Sequence, residues 1–385
     1  MRIFFASDTT PNGSIISNLW RSNLYLPLID LGHDVVEFQH DLRQTFCNLD
    51  PADPQQRAFI AQNRPKLSRE LLCQIRAAHS SRPFDLFFSY FYDACILPEA
   101  IEEIKRLGII TVNWYCNGSY QLHLVSEIAP HYDWCLVPEK FRLKEYEQLG
   151  AHPIYCQEAA NPNVYKPEDI PVDFDVTFVG QCYGERPYFI KYLLDQGVDV
   201  RVWGPRWESC VRKSAAQRLI TKACKLATPS GFLRIIRRLT GRRDSAARLH
   251  RKVVELPRDI IGGVLTDAQL IQMYSRSKIN LGFSSVGDVG APSDRILQVR
   301  LRDFEVPMSG GFYMVEYMDE LEEFFTPGQE IVCYTSREDL AEKIKYYLGH
   351  ESERERIRRA GFERARRDHT WHRRFQTAFL KMGLG

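Results

Sequence analysis

This chain of 385 residues lacks the features of membrane-spanning, disulfide-rich and zinc-binding proteins. None of its apolar runs reaches the roughly 18 residues needed to span a bilayer. Its ten cysteines are scattered, with no CxxC pair and no His or Cys cluster at metal-ligand spacing. No secretory apolar segment precedes the first strand-like run. We therefore expect a cytoplasmic protein with reduced thiols and no bound metal, whose only contact with a membrane is peripheral, on its inner face.

Apolar residues, in contrast, are abundant. The chain is 44% hydrophobic and 12% aromatic, which is enough apolar mass for two cores of ordinary size. The net charge is only +2, but it is unevenly distributed. Segment 206–252 carries fourteen Lys or Arg residues against two acids, so the rest of the chain is net acidic. The composition predicts two domains, one of which carries a basic insertion.

Short apolar runs alternate with helix-like stretches along the whole chain, which is the pattern of parallel sheets covered by helices on both faces. Pro162, Pro167 and Pro171 interrupt this alternation, because proline stops both helices and central strands. The runs before the interruption are 2–6, 34–38, 85–90, 109–114 and 134–137, and those after it are 175–180, 198–203, 278–283, 312–316 and 330–334. The sequence therefore predicts an α/β protein with two sheets.

Arg302 and Glu305 form the first candidate site. The pattern over 293–306 is helical, so residues three apart share a face. A carboxylate on a rigid helix accepts both hydroxyls of a ribose, and a guanidinium beside it matches the geometry of a phosphate. The pair suits a nucleotide diphosphate. The alternative is an ion pair on the helix surface, which contributes little.

Two loops that follow strands of the second sheet are candidates for binding a donor. Gly180, Gln181 and Tyr183 lie between a strand and a helix that opens near Arg186, where free N–H groups and the helix dipole favour phosphate. An ordinary turn with a solvated arginine is the alternative. Loop 284–294 contains Ser293 near its end, and Ser293 is a suitable N-cap for the next helix. This second loop is a candidate for binding the pyrophosphate or a sugar attached to it, or else it is simply flexible.

The first sheet offers candidates for binding a second substrate, the acceptor. Asp8, Asn12 and Gly13 follow its first strand, and Asn117 and His123 follow the strand that ends at 114. Ligands of parallel sheets sit beyond the carboxyl ends of the strands. The ordinary pKa of histidine is near 6.5, which suits His123 to deprotonate a hydroxyl. The alternative is a histidine that is only solvated or packed.

The second half of the chain carries a series of short motifs in a fixed order. Segment 175–197 has a Phe-Val-Gly strand and an arginine that opens the next helix. The residues of the later motifs are Arg302, Phe304 and Glu305; Gly310, Gly311 and Phe312; Glu316 and Tyr317; Pro327 and Gly328; Tyr346, Tyr347 and Leu348; and His369, Thr370 and Trp371. In order and spacing, these motifs resemble the CgeB-like (spore-maturation-protein-like) glycosyltransferases, a branch of the GT-B superfamily.

The resemblance implies a GT-B fold, in which two Rossmann-like doubly wound domains face a central cleft. It implies an acceptor-side domain at 1–165, a nucleotide-sugar-binding domain at 166–368 with the insertion 206–252, and a last helix at 369–385. That helix is expected to cross back to the first domain through Phe375, Phe379 and Leu380.

The implied activity is transfer of a sugar from a UDP-linked donor to a glycan, lipid or protein acceptor, with retention at the anomeric carbon. No cofactor and no metal are implied. Arg186, Arg302 and His123 would be catalytic, and Gly180, Gln181, Tyr183, Ser293, Gln298 and Glu305 would bind the donor.

Two departures from the family pattern keep other functions open. Gln298 stands where related retaining enzymes have a second Glu, and Asn117 stands where many relatives have an Asp. One alternative is a nucleotide-sugar epimerase, which needs no acceptor. The other is a non-catalytic protein whose basic segment binds nucleic acid or another anionic polymer, although we do not expect nucleic acid as the partner.

The sequence of segment 206–252 predicts contact with an anionic membrane surface. Arginines alternate with Phe, Leu and Ile over 232–239, a pattern compatible with a short helix lying on an anionic surface. The alternative is an insertion whose arginines are solvated or pair with the acidic remainder of the chain.

We predict that the protein sediments with anionic vesicles and not with neutral ones, because each Lys or Arg near an anionic membrane contributes about 1 kcal/mol. Neutralising Arg234, Arg237, Arg238, Arg242 and Arg243 together should abolish this binding. Equal binding to neutral and anionic vesicles would refute the membrane role.

Overall fold

The computed structural model describes residues 1–7, 17–47, 49–211, 254–286 and 295–384. Its strands form two parallel sheets. The first sheet has the order β2-β1-β3-β4-β5-β6 and the second has the order β11-β10-β9-β7-β8. The strands of the first sheet are β1 (Arg2–Ala6), β2 (Asp34–Glu37), β3 (Leu86–Ser89), β4 (Ile110–Trp114), β5 (Trp134–Val137) and β6 (Pro153–Tyr155). Those of the second are β7 (Phe174–Val179), β8 (Val200–Trp203), β9 (Ser277–Gly282), β10 (Tyr313–Glu316) and β11 (Val332–Tyr334).

Helices cover the sheets, as parallel sheets require. In the first half these are α1 (Leu26–Asp30), α2 (Pro54–Ser81), α3 (Pro98–Arg106), α4 (Gly118–Gln121) and α5 (Leu143–Gln148). In the second half they are α6 (Arg186–Asp195), α7 (Asp267–Ser275), α8 (Leu301–Met308), α9 (Arg337–Gly349), α10 (Glu351–Asp368) and α11 (Trp371–Lys381). Among the described residues, no helix combines the length and the apolar character that a membrane crossing demands.

The strands form where short apolar runs allow burial on both faces. Ile3, Phe5, Leu86 and Val112 in the first sheet have no exposed surface, and the strands pair in parallel throughout. The second sheet is built in the same way, with Val176 at its centre fully buried. Each predicted apolar run contains a strand. The domain limits 1–165, 166–368 and 369–385 stay predictions.

Two local predictions were wrong. The helix predicted over 293–306 begins only at Leu301, and Leu297 instead forms an antiparallel bridge with Ser285. The carboxylate of Asp303 accepts a hydrogen bond from the backbone N–H of Arg300 at 2.8 Å, which caps the helix at this later point. Strand β6 was not predicted, because it is three residues long and starts at a proline.

Helix α11 crosses from the second sheet back to the first. Thr370 caps it by accepting from Arg373 N at 3.2 Å, and Trp371 lies edge-on to Trp114 with ring centroids 5.3 Å apart. The ring of Phe375 packs against Phe88 at 5.6 Å. The prediction for Leu380 was wrong, since its side chain is 69% exposed. The opposite helix face, which carries Trp371 and Phe375, therefore makes the docking contact.

This packing predicts unequal effects for two neighbouring substitutions on α11. Phe375→Ala removes a fully buried ring and should lower the free energy of unfolding by about 3 to 5 kcal/mol. Leu380→Ala, on the exposed face, serves as the matched control and should change it by no more than about 0.5 kcal/mol. Urea denaturation of both variants measures the difference. Similar losses in both variants would show that α11 does not dock through Phe375.

Candidate functional site

The carboxyl ends of the two sheets face each other, and the side chain of Gln298 is one of those that join them. Gln298 lies between β9 and α8, and its amide oxygen accepts a hydrogen bond from the Ser119 hydroxyl at 2.7 Å. Its amide nitrogen donates to the carbonyl of Cys116 at 3.3 Å. Cys116 and Ser119 directly follow β4. The loops beyond both sheets thus meet across a cleft, the place where parallel sheets bind ligands.

Arg186 lies on the side of the cleft formed by the second sheet, and its side chain is nearly buried. Only 3% of the surface of Arg186 is exposed, and burial lowers the pKa of its guanidinium to about 9. Two of its nitrogens donate to the Gln181 carbonyl at 2.8 Å and to the Tyr183 hydroxyl at 2.7 Å. Its Nε atom has no hydrogen-bond partner. The predicted loop residues therefore hold Arg186 in place while part of the guanidinium stays unused.

Arg302 and Arg300 complete a group of cations, which we call the arginine cluster together with Arg186. The guanidinium carbons of Arg186 and Arg302 each lie 5.2 Å from the centroid of the Phe178 ring. Arg300 donates to the carbonyls of Phe283 at 3.1 Å and Ser285 at 2.6 Å. In the described part of the chain, none of the three forms an ion pair with an acidic side chain.

Gly180 brings the backbone close to this cluster. A Cβ atom added at Gly180 would lie 2.6 Å from the Phe178 ring and 2.9 Å from Nη2 of Arg302. Only glycine fits such an approach without displacing the arginine. The Gly180 carbonyl also accepts a hydrogen bond from the Trp207 indole at 2.7 Å. The loop after β7 is therefore fixed against the arginine cluster.

Glu305 is buried in the same region, with 5% of the residue exposed. The Tyr274 hydroxyl donates to its Oε2 atom at 3.5 Å, while Oε1 has no partner. Burial raises the pKa of this carboxyl to about 7, against the opposing effects of Tyr165 and Arg302. Arg302 and Glu305 form no ion pair with each other, so the surface ion pair considered above is not present. One oxygen of Glu305 remains free to accept a hydrogen bond.

Of the remaining predicted site residues, the structure describes Asn117 and His123. Asn117 lies beside the cleft, where its Oδ1 atom accepts from the Tyr120 hydroxyl at 3.4 Å. His123 is exposed in a short turn after α4, and its role as a base stays a prediction. Asp8, Asn12, Gly13 and Ser293, together with most of segment 206–252, fall outside the described residues.

Three cleft residues, Arg300, Glu139 and Glu158, were missed from the sequence. Glu139 follows β5, and its carboxylate accepts from the backbone N–H of Ser119 at 3.2 Å. Its Oε2 atom has no partner, and burial raises its pKa to about 7. Glu158 follows β6, the strand that was not predicted. Its place just beyond a buried strand is the signal by which Glu139 could have been found.

A family model described as glycosyl transferase-like matches residues 186–379. The match spans just over half of the chain and contains Arg186, Arg300, Arg302 and Glu305. A search of curated proteins finds no match.

Solved structures resemble the chain along its whole length. Sucrose-phosphate synthase from Thermosynechococcus elongatus has a TM-score of 0.60 at 13% identity, covering 100% of this chain and 98% of that one. HepE of Anabaena, solved with UDP and glucose, has a TM-score of 0.57 at 12% identity, covering 100% and 99%. A glycosyltransferase from Rickettsia africae has a TM-score of 0.53 at 11% identity, covering 99% and 97%. These likenesses confirm the GT-B fold.

The environment of Glu305 predicts its effect on nucleotide binding. Glu305→Ala should weaken the binding of UDP by at least about tenfold, because each hydrogen bond to a charged acceptor contributes about 1.5 to 3 kcal/mol. Wild-type affinity should also fall as the pH drops below about 7, because protonation removes the negative charge. Calorimetry of UDP binding between pH 5.5 and 8 measures both effects.

Glu355→Ala is the matched control. Glu355 lies on α10, in an ion pair with Arg358, and its removal should leave the affinity unchanged at every pH. Unaltered UDP binding by Glu305→Ala would eliminate the assignment of Glu305 to the ribose.

Proposed function

This chain belongs to the glycosyl transferase-like family, and we propose that it transfers a sugar from a UDP-linked donor to an acceptor held on the side of the first sheet. Within the GT-B superfamily we propose that it is a CgeB-like enzyme, on the residues that carry that resemblance. The observation that carries the proposal is the arginine cluster at the carboxyl ends of the second sheet. Arg186 is buried and the other two are half-buried, and none of the three forms an ion pair with an acidic side chain in the described part of the chain.

Partly buried cations that form no ion pairs point to an anionic ligand. Removing a charge from water costs several kcal/mol unless it is paired. Arg186 retains an unbonded Nε atom, and so does Arg302. A diphosphate supplies two negative groups at adjacent positions, and guanidinium groups bind such oxygens in forked, charge-assisted pairs. The arginine cluster therefore suits the diphosphate of a sugar nucleotide.

The same cluster accounts for the chemistry of the leaving group. As the bond between the sugar and the diphosphate breaks, the electron pair stays on the phosphate oxygen. Arginines already in place stabilise this charge without reorganisation. We propose that Arg186, Arg300 and Arg302 perform this task and that the reaction needs neither a metal ion nor a cofactor.

The nucleoside half is assigned to Glu305, whose free Oε1 atom is suited to accept ribose hydroxyls. Uridine is the proposed base, supported by structural neighbours such as HepE, which has been solved with UDP and with UDP-glucose. Retention at the anomeric carbon is proposed from the family resemblance. The proposed acceptor is a glycan, a lipid or a protein. We also propose that segment 206–252 makes peripheral contact with an anionic membrane.

A panel of nucleotide sugars tests the proposal by thermal shift and product analysis. A ligand at 100 times its dissociation constant should stabilise the protein by about 2.7 kcal/mol. We expect UDP-sugars to do so, and product analysis to reveal transfer with retention that persists in EDTA. Arg186→Lys should impair turnover, since an ammonium group cannot reproduce the planar fork.

Lys191→Arg is the control, because it makes the reverse replacement at a position outside the arginine cluster. Lys191 lies on the same helix in an exposed pair with Asp195, so turnover should not change. Conversion of donor alone into an isomeric sugar nucleotide would favour an epimerase instead. Donor binding without any turnover would favour a binding protein.

A further inference from the structure

Glu158 is a buried carboxyl that the proposed site does not yet use. It lies after β6, on the segment that leads from the first sheet to the second, and 6% of the residue is exposed. Only its backbone forms hydrogen bonds with described residues. A buried acid without a hydrogen bond is costly, so its presence in a folded protein calls for an explanation.

The backbone around Glu158 is held at several points. Its N–H donates to the side-chain oxygen of Gln157 at 2.8 Å, and Arg374 on α11 donates to the carbonyls of Gln157 at 3.1 Å and Glu158 at 3.5 Å. Two residues later, Ala160 forms a parallel bridge with Thr370. This scaffold fixes the backbone from which the Glu158 side chain projects, as a substrate contact requires.

Charged groups from both halves of the cleft shift the pKa of Glu158. Arg300 of the arginine cluster, Glu305 of the proposed ribose site and Asp303 belong to the second half, and Glu139 belongs to the first. Glu158 itself follows β6, beyond the carboxyl end of the first sheet. In a sugar nucleotide the sugar lies beyond the diphosphate, on the side of the acceptor. A carboxyl on the side of the first sheet is therefore suited to contact the sugar.

Gln298 has its amide group committed elsewhere. Both ends of that amide are engaged across the cleft, one with the Ser119 hydroxyl at 2.7 Å and the other with the Cys116 carbonyl at 3.3 Å. Binding a sugar hydroxyl would require at least one of these bonds to be shared or broken. Within the described residues, the carboxyl of Glu158 has no such hydrogen bond.

We propose that the Glu158 carboxyl contacts the transferred sugar and forms hydrogen bonds with its hydroxyl groups. The inference rests on the proposed function and extends it with a residue that binds the sugar and not the nucleotide.

The surroundings of Glu158 favour the protonated form of its carboxyl, and we propose that this form binds the sugar. Burial raises the pKa of Glu158 well above its usual range, and the neighbouring Glu139 and Glu305 carboxyls add to the rise, while Arg300 opposes it. A protonated carboxyl donates one hydrogen bond and accepts another. Glutamine has nearly the same shape and the same ability to donate and accept, so it mimics this form of the residue.

The test compares binding of a sugar nucleotide with binding of its parent nucleotide. Dissociation constants for UDP, UDP-glucose, UDP-galactose and UDP-N-acetylglucosamine are measured by calorimetry on the wild type, Glu158→Ala and Glu158→Gln. For the best UDP-sugar, Glu158→Ala should weaken binding about tenfold relative to UDP, with UDP itself unaffected. Glu158→Gln should stay within about threefold of the wild type for both ligands.

Asp93→Ala is the matched control, because Asp93 is another carboxyl whose pKa burial raises, to about 7. Its carboxylate accepts from the backbone N–H of Ile128 at 3.2 Å, and its removal should not alter the ratio of the two dissociation constants. An unchanged ratio in Glu158→Ala would overturn the sugar contact, and a Gln variant as weak as the Ala variant would overturn the protonated carboxyl. A wild type that binds UDP but no UDP-sugar, or neither, would reject the proposed function itself.

Discussion

The arginine cluster is the constraint on which the rest of the cleft depends. Three guanidinium groups at the end of one sheet repel each other, and partial burial reduces the water that would screen them. The protein offsets this cost with carbonyl oxygens, namely those of Gln181, Phe283 and Ser285. Carbonyls satisfy N–H groups without neutralising the charge. The backbone at these three positions therefore directs its carbonyls towards the arginines, and the site keeps its positive charge for a ligand.

A second constraint is the relation between the two sheets. The polar contacts that cross the cleft include Lys140 with Glu323 at 2.6 Å and Tyr155 with Glu320 at 2.6 Å. Exposed ion pairs of the first kind contribute little to stability. The crossing helix α11 contributes more, because it buries whole aromatic rings against the first sheet. The hydrophobic contact therefore holds the domains together, while the polar contacts set which loops meet.

The sequence predicted what depends on local patterns. Parallel strands have apolar runs that are buried on both faces, so the runs at 2–6 and 175–180 were recognisable without any knowledge of their partners. The start of α8 was not, because the cap depends on the Asp303 side chain folding back on Arg300. Glu158 was missed since its strand is too short to give a pattern. The role of Gln298 was hidden because its partners lie about 180 residues away in the chain, and spacing carries no information about such contacts.

The two walls of the cleft carry groups of opposite charge, and burial makes both walls compatible with an anionic ligand. The second sheet presents the arginine cluster, whereas Glu139 and Glu158 lie on the side of the first sheet. Two ionised carboxylates there would repel an incoming diphosphate. Burial raises the pKa of both groups, which favours their uncharged, protonated forms. The opposite wall then adds less negative charge against the diphosphate, and the uncharged sugar meets groups that form hydrogen bonds with less charge. The low dielectric that makes the arginines costly is therefore also what keeps the opposite wall compatible with an anionic donor.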